Sequence, residues 1–135
     1  MDADDPLPGV QIGDMKTILV IEDEKDLADL VIFNLEKEGF RTLLAMDGNA
    51  GLEKARESSP DLILLDLMLP GLSGTEVCKS LKGETKTSGI PVIMVTSKDQ
   101  ETDRIWGMRQ GAIDYLVKPV SAEELVQKAQ AALDS

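Results

Sequence analysis

No histidine occurs among the 135 residues, and cysteine occurs once, at Cys78. A lone cysteine makes no internal disulfide, and the missing imidazoles exclude most zinc site types. The same absence removes the usual Ser-His or Cys-His nucleophile pair. No apolar run approaches the roughly 20 residues that a membrane-crossing helix needs. The opening stretch, MDADDPLPGVQIGD, is acidic and rich in Pro and Gly, without a signal-peptide pattern. A cytoplasmic location is therefore the default expectation. Basic residues are outnumbered, with 14 Lys and Arg against 25 Asp and Glu, for a net charge of -11. That balance argues against nucleic acid as a direct partner, because phosphate backbones need Lys and Arg. It suits a divalent cation or a basic patch on another protein.

What is present fits one domain with a real hydrophobic core. Residues 1–15 have no periodicity and carry two Pro, and they read as a flexible leader or a cloning remnant. From Lys16 to Ser135 the pattern alternates. The runs TILVIED, FRTLLAM, DLILLD, IPVIMVT and AIDYLV are strand candidates. Between and after them lie helical segments. KDLADLVIFNLEKEG places Leu27, Leu30, Val31 and Leu35 on one face, with Gly39 as a stop. NAGLEKARESS is small and polar and is ended by Pro60. SGTEVCKSLKG opens with Ser73 and Glu76 at capping-box spacing. DQETDRIWGMRQG carries Gly107 inside it, at a propensity cost of about 1 kcal/mol relative to Ala. Trp106 falls one position off an Ile105/Met108 face, which leaves it partly exposed or packed at a helix edge. SAEELVQKAQAAL repeats the capping box with Ser121 and Glu124 and is expected to bury Ala122, Leu125, Val126 and Ala129.

Five βα units imply a parallel sheet with helices on both faces. Right-handed crossovers leave few topologies, among them the flavodoxin-like, doubly wound order 2-1-3-4-5. In that order the ligand site lies at the carboxyl ends of the strands. Glu22 and Asp23 end the first strand, Asp66 the third, Thr96 and Ser97 the fourth, and Lys118 the fifth. Strands one, three, four and five are consecutive neighbours in this order, so these groups converge. Three close carboxylates repel, and a cation makes the cluster tolerable. All-oxygen donors suit Mg²⁺, or Mn²⁺ in its place. A Lys ammonium and a Thr hydroxyl could bind the oxygens of a phosphoryl group carried on Asp66, since a carboxylate can act as the nucleophile.

The segments ILVIEDE, PDLILLDLMLPGLSG, IPVIMVTS and GAIDYLVKP together resemble the receiver domain of bacterial response regulators. The resemblance implies that Asp66 accepts the phosphoryl group. It implies that Glu22, Asp23, Asp66 and the backbone carbonyl of Met68 hold Mg²⁺. Lys118 would contact the phosphoryl group, with a cis Lys118–Pro119 bond, and Thr96 and Tyr115 would form a switch pair. The surface of the fourth helix, fifth strand and fifth helix would change in response. Met68 and Lys98 would flank the route of attacking water and tune the lifetime of the phosphoryl group.

The first half looks like receivers attached to winged-helix transcription factors. The second half looks like single-domain regulators of twitching motility and chemotaxis-type systems. A natural mosaic and a chimera joined near the fourth strand both fit. Ile113 and Val120 stand where the winged-helix type usually has an acid and a Phe, and Lys128 replaces an Arg. These departures weaken the salt-bridged dimer of that type, so the expectation is a monomer or a weak phosphorylation-dependent dimer. The expected partners are a histidine kinase or histidine phosphotransfer protein and a downstream target. That target would touch DRIWGMRQ through Ile105, Trp106 and Arg109.

A stand-alone regulator and a receiver excised from a DNA-binding regulator are both compatible with the sequence. The protein would act enzymatically only on its own phosphorylation and dephosphorylation. A haloacid-dehalogenase-type phosphohydrolase would need a second Asp two residues after the nucleophile, where Met68 stands. A phosphorylation-independent binding module is the remaining alternative.

Overall fold

The computed structural model describes residues 15–134, except for the side chain of Lys98. Most of the expected leader therefore lies outside the described residues. The elements run β1 (Thr17–Ile21), α1 (Lys25–Lys37), β2 (Arg41–Ala45), α2 (Gly48–Ser58), β3 (Leu62–Asp66), α3 (Gly74–Gly83), β4 (Val92–Thr96), α4 (Glu101–Arg109), β5 (Asp114–Val117) and α5 (Ala122–Asp134). All strand pairs are parallel, in the order β2-β1-β3-β4-β5. This is the flavodoxin-like arrangement expected from the sequence.

The strand patterns follow from position in the sheet. Central β3 and β4 are buried at every residue, whereas edge strands β2 and β5 are half-open. A parallel strand covered on both faces can be apolar throughout. Side chains still alternate in direction. Leu19, Ile21, Ile63, Leu65 and Met94 form one core layer with Leu52, Val77, Cys78 and Leu81 of α2 and α3. Ile18, Val20, Leu62, Leu64 and Ile93 form the other with Val31, Leu35, Leu125 and Ala129 of α1 and α5.

The helix ends have local causes. Asp47 accepts a bond from the Ala50 N–H (2.8 Å), Ser73 from that of Glu76 (3.3 Å) and Ser121 from that of Glu124 (3.3 Å). Such caps satisfy backbone donors left free in the first turn.

Two expectations about helix faces are corrected. Leu30 is 46% exposed, and Ala28 joins Val31 and Leu35 on the buried face of α1. Ala122 is exposed and Val126 half-buried, so Leu125 and Ala129 anchor α5. In both helices the sheet admits a narrower stripe than the apolar sequence pattern offers.

In α4 the partial exposure of Trp106 is as expected. A 3-10 turn over Lys98–Gln100 precedes the helix, and Ile105, Trp106 and Met108 are all exposed. Gly107 is its buried residue. A Cβ there would stand 2.0 Å from Met94 Sδ, so the apparent helix defect is the point where α4 meets the sheet.

Candidate functional site

Parallel strands bring all their carboxyl ends to one rim. Ile21 pairs with Leu65, which sets Glu22 beside Asp66 as the two strands leave the core. Asp66 pairs with Val95, and Thr96 with Val117, so Thr96 and Lys118 follow along the same rim. The Lys118 N–H donates to the Thr96 carbonyl (2.7 Å). The Lys118–Pro119 peptide is cis, as expected.

Glu22, Asp23 and Asp66 each offer a carboxylate oxygen, and the three oxygens lie within 4.8 Å of one another. Glu22 and Asp66 are buried, while Asp23 opens to solvent. Asp66 is held on both oxygens: Oδ1 accepts from the Met68 N–H (2.8 Å), and Oδ2 from Lys118 Nζ (2.9 Å). The first bond sets the Met68 peptide beside the cluster, with its side chain 64% exposed. Glu22 Oε2 accepts from the Glu24 N–H (3.1 Å).

Charge in this space is unbalanced. Burial, then hydrogen bonding to Asp66, push the Glu22 carboxyl up to about 8, reinforced by the negative charge of Asp66. The Glu24 N–H and Lys118 oppose the rise without cancelling it. For Lys118, burial works downward, but the bond to Asp66 and the acids around it prevail and raise its pKa. Three carboxylates against one ammonium leave room for a hard divalent cation, and the donor set is oxygen only.

Thr96 is buried, and its hydroxyl donates to the Ser97 carbonyl (3.2 Å). Tyr115 is half-buried on β5, with the Arg104 guanidinium carbon 4.5 Å and Lys128 Nζ 5.1 Å from its ring centroid. Ile105 and Trp106 are 43% and 47% exposed, and Arg109 is exposed, on the outer side of α4. The Lys98 side chain lies outside the described residues.

Two supporting features escaped the sequence reading. Gly74 begins α3 so close to the end of β3 that a Cβ would stand 2.4 Å from the Asp66 carbonyl oxygen. The Ser-Gly pair after the turn was its available signal. Gln100 Oε1 accepts from both the Ser97 N–H and hydroxyl (2.9 Å each), tying down the β4–α4 turn. The Ser97-x-x-Gln100 spacing of a capping box marks it.

Comparison with known proteins bears on the family and the fold. A family model described as the response regulator receiver domain matches residues 18–130. The sensory transduction protein RegX3 of Mycobacterium tuberculosis is 48% identical over 119 residues, covering 88% of this chain and 51% of that protein. The chain thus spans about half the length of the curated relatives it matches. A CheY-like receiver domain protein from Methanospirillum hungatei has the same fold, with a TM-score of 0.84, 30% identity, and coverage of 90% and 95% of the two chains. The receiver domain of NtrX from Brucella abortus gives a TM-score of 0.82 at 32% identity, over 87% and 98%. Among the described residues no helix is long and apolar enough to cross a membrane. The chain belongs to the response regulator receiver domain family of two-component signalling.

Proposed function

We propose that this receiver domain is the phospho-acceptor switch of a phosphorelay and takes its phosphoryl group on Asp66. The observation that carries the reading is a buried carboxylate gripped by Lys118 at 2.9 Å inside a cluster of three acids. In the transfer, an Asp66 oxygen attacks phosphorus. The nitrogen–phosphorus bond of a donor phosphohistidine breaks, and because its other ring nitrogen carries a proton the donor leaves as neutral imidazole. An aspartyl acyl phosphate remains, and water later returns it to Asp66 and inorganic phosphate. Such chemistry depends mainly on positioning and charge neutralisation.

Glu22, Asp23, Asp66 and the Met68 carbonyl would hold Mg²⁺, or Mn²⁺. When bound, the cation neutralises charge on the phosphoryl oxygens. The Lys118 ammonium and the Thr96 hydroxyl serve as further donors to those oxygens, Thr96 exchanging its bond to Ser97 for the new one. Met68 borders the path of the hydrolytic water, and positions 68 and 98 tune the lifetime. Thr96 and Tyr115 relay the change to the α4–β5–α5 surface, a charge event biasing a two-state element. A histidine kinase or phosphotransfer protein supplies the phosphoryl group. A downstream protein reads the output through Ile105, Trp106 and Arg109, where exposed Trp and Arg are suitable anchors.

Incubation with acetyl phosphate and Mg²⁺, followed by intact mass, tests the reading. The wild type should gain one phosphoryl group and Asp66→Asn none. No gain in the wild type, or equal gain in both, overturns it. Target binding indifferent to Asp66→Asn would point instead to a phosphorylation-independent module.

A further inference from the structure

Tyr115 is approached by cations of two different helices. Arg104 of α4 and Lys128 of α5 approach its ring at 4.5 and 5.1 Å. Both side chains are 26% exposed, so both cations are largely withdrawn from water. A cation over an aromatic face gains strength when desolvated.

The two are anchored differently. Lys128 also donates to the Tyr115 carbonyl (2.6 Å) and to the Asp114 carboxylate (3.1 Å), so β5 backbone holds it whatever the ring does. The ion pair of Arg104 is with Glu101, at 3.6 Å, and that side chain is 73% exposed. Exposed pairs of this kind contribute little. The position of Arg104 therefore depends on the ring.

The seat of α4 is correspondingly narrow. Gly107 lies against Met94, and the Cys78 thiol reaches the Gly107 carbonyl at 3.9 Å. Arg104 stands one turn before Gly107, and Met94 and Tyr115 are register partners on neighbouring strands. Two adjacent strand residues thus receive two helix residues three apart. One of these contacts is backbone packing, and the other is the stacked guanidinium.

We propose that Arg104 is a latch: stacked on Tyr115, it holds the ring and α4 in the resting arrangement, and the switch must break this contact to fire. The inference rests on the phospho-acceptor reading and names the positioning residue that sets its threshold. Loosening the latch raises the population of the competent state, and the apparent affinity for a phosphoryl mimic rises in proportion.

The test is titration with beryllium trifluoride and Mg²⁺, followed by the bound-fluorine NMR signal. Arg104→Gln should bind about two- to tenfold tighter than wild type, the range expected for losing one cation–π contact. Arg104→Lys should fall between the two. In a Tyr115→Ala background, Arg104→Gln should change nothing further, which a merely structural role for Arg104 would not produce. Unchanged or weaker binding by Arg104→Gln overturns the latch, as does an equal effect in the Tyr115→Ala background. A wild type that fails to bind the mimic at all overturns the phospho-acceptor reading itself, and the latch with it.

Discussion

Lys118 Nζ lies 2.9 Å from Asp66 Oδ2 although 52 residues separate them in sequence. Both strands that deliver them flank β4 and run parallel to it, so their ends reach the same rim. The ammonium touches one member of a buried acid pair, and removing it has consequences for stability and chemistry alike.

Lys118→Met should destabilise the metal-free protein by on the order of 1–3 kcal/mol, read by urea denaturation. A fully buried pair would cost more when broken, but a quarter of the Lys118 side chain is open to water. The same variant should take up phosphoryl from acetyl phosphate far more slowly than wild type. Wild-type rates in Lys118→Met would remove Lys118 from the chemistry.

Glu22 predicts a pH dependence of known sign. Its carboxyl stands at about 8 in the folded chain, against an ordinary value of 4.5. The folded state therefore holds a proton that the unfolded state has released, and this contribution to stability is full below 4.5 and lost as pH rises to about 8. A cation must displace the same proton, so apparent Mg²⁺ affinity should rise by up to about tenfold per pH unit between roughly 6 and 8. Melting temperatures across this range, with and without Mg²⁺, check both slopes. Glu22→Gln should flatten them, and unchanged slopes in that variant would assign the proton elsewhere.

Gly107→Ala should destabilise the fold by about 1–3 kcal/mol, because the new Cβ collides with Met94. Helix propensity alone expects a gain of about 1 kcal/mol from the same change. The sign of the shift in denaturation midpoint separates the two. Adding Met94→Ala should recover part of the loss caused by Gly107→Ala.

Met68 presents an apolar, 64% exposed side chain beside Asp66 and offers no group to orient water. The acyl phosphate should therefore persist for minutes or longer, and Met68→Asn should shorten its life. Loss of phosphoryl mass after donor removal gives the half-life. Decay within seconds in the wild type would contradict this reading.

The sheet was legible in the sequence because each parallel strand is a short apolar run bounded by turn residues, and β3 and β4 are apolar until Asp66 and Thr96 end them. Helix faces were less legible. Leu30 and Ala122 satisfy helical spacing yet face water, since periodicity records which residues could be buried, not how wide a stripe the sheet accepts. In α4 the apolar spacing did not mark the buried face, although the exposure of Trp106 was expected. The helix touches the sheet through a glycine, and its larger apolar residues point outward.

For the site, the sequence by itself determined the order of chemical types at the strand ends: two acids, one acid, a hydroxyl and an ammonium. Parallel topology then obliges those groups to converge, so Glu22, Asp23, Asp66, Thr96 and Lys118 could be named from spacing alone. Tertiary structure alone decided how charge is distributed among them. The proton affinity of Glu22 depends on burial and on the distance to Asp66, neither of which a linear pattern encodes. It alone also brought Arg104 and Lys128 onto Tyr115, because a contact among two helices and a strand depends on how the helices are seated, and side-chain packing sets that seating.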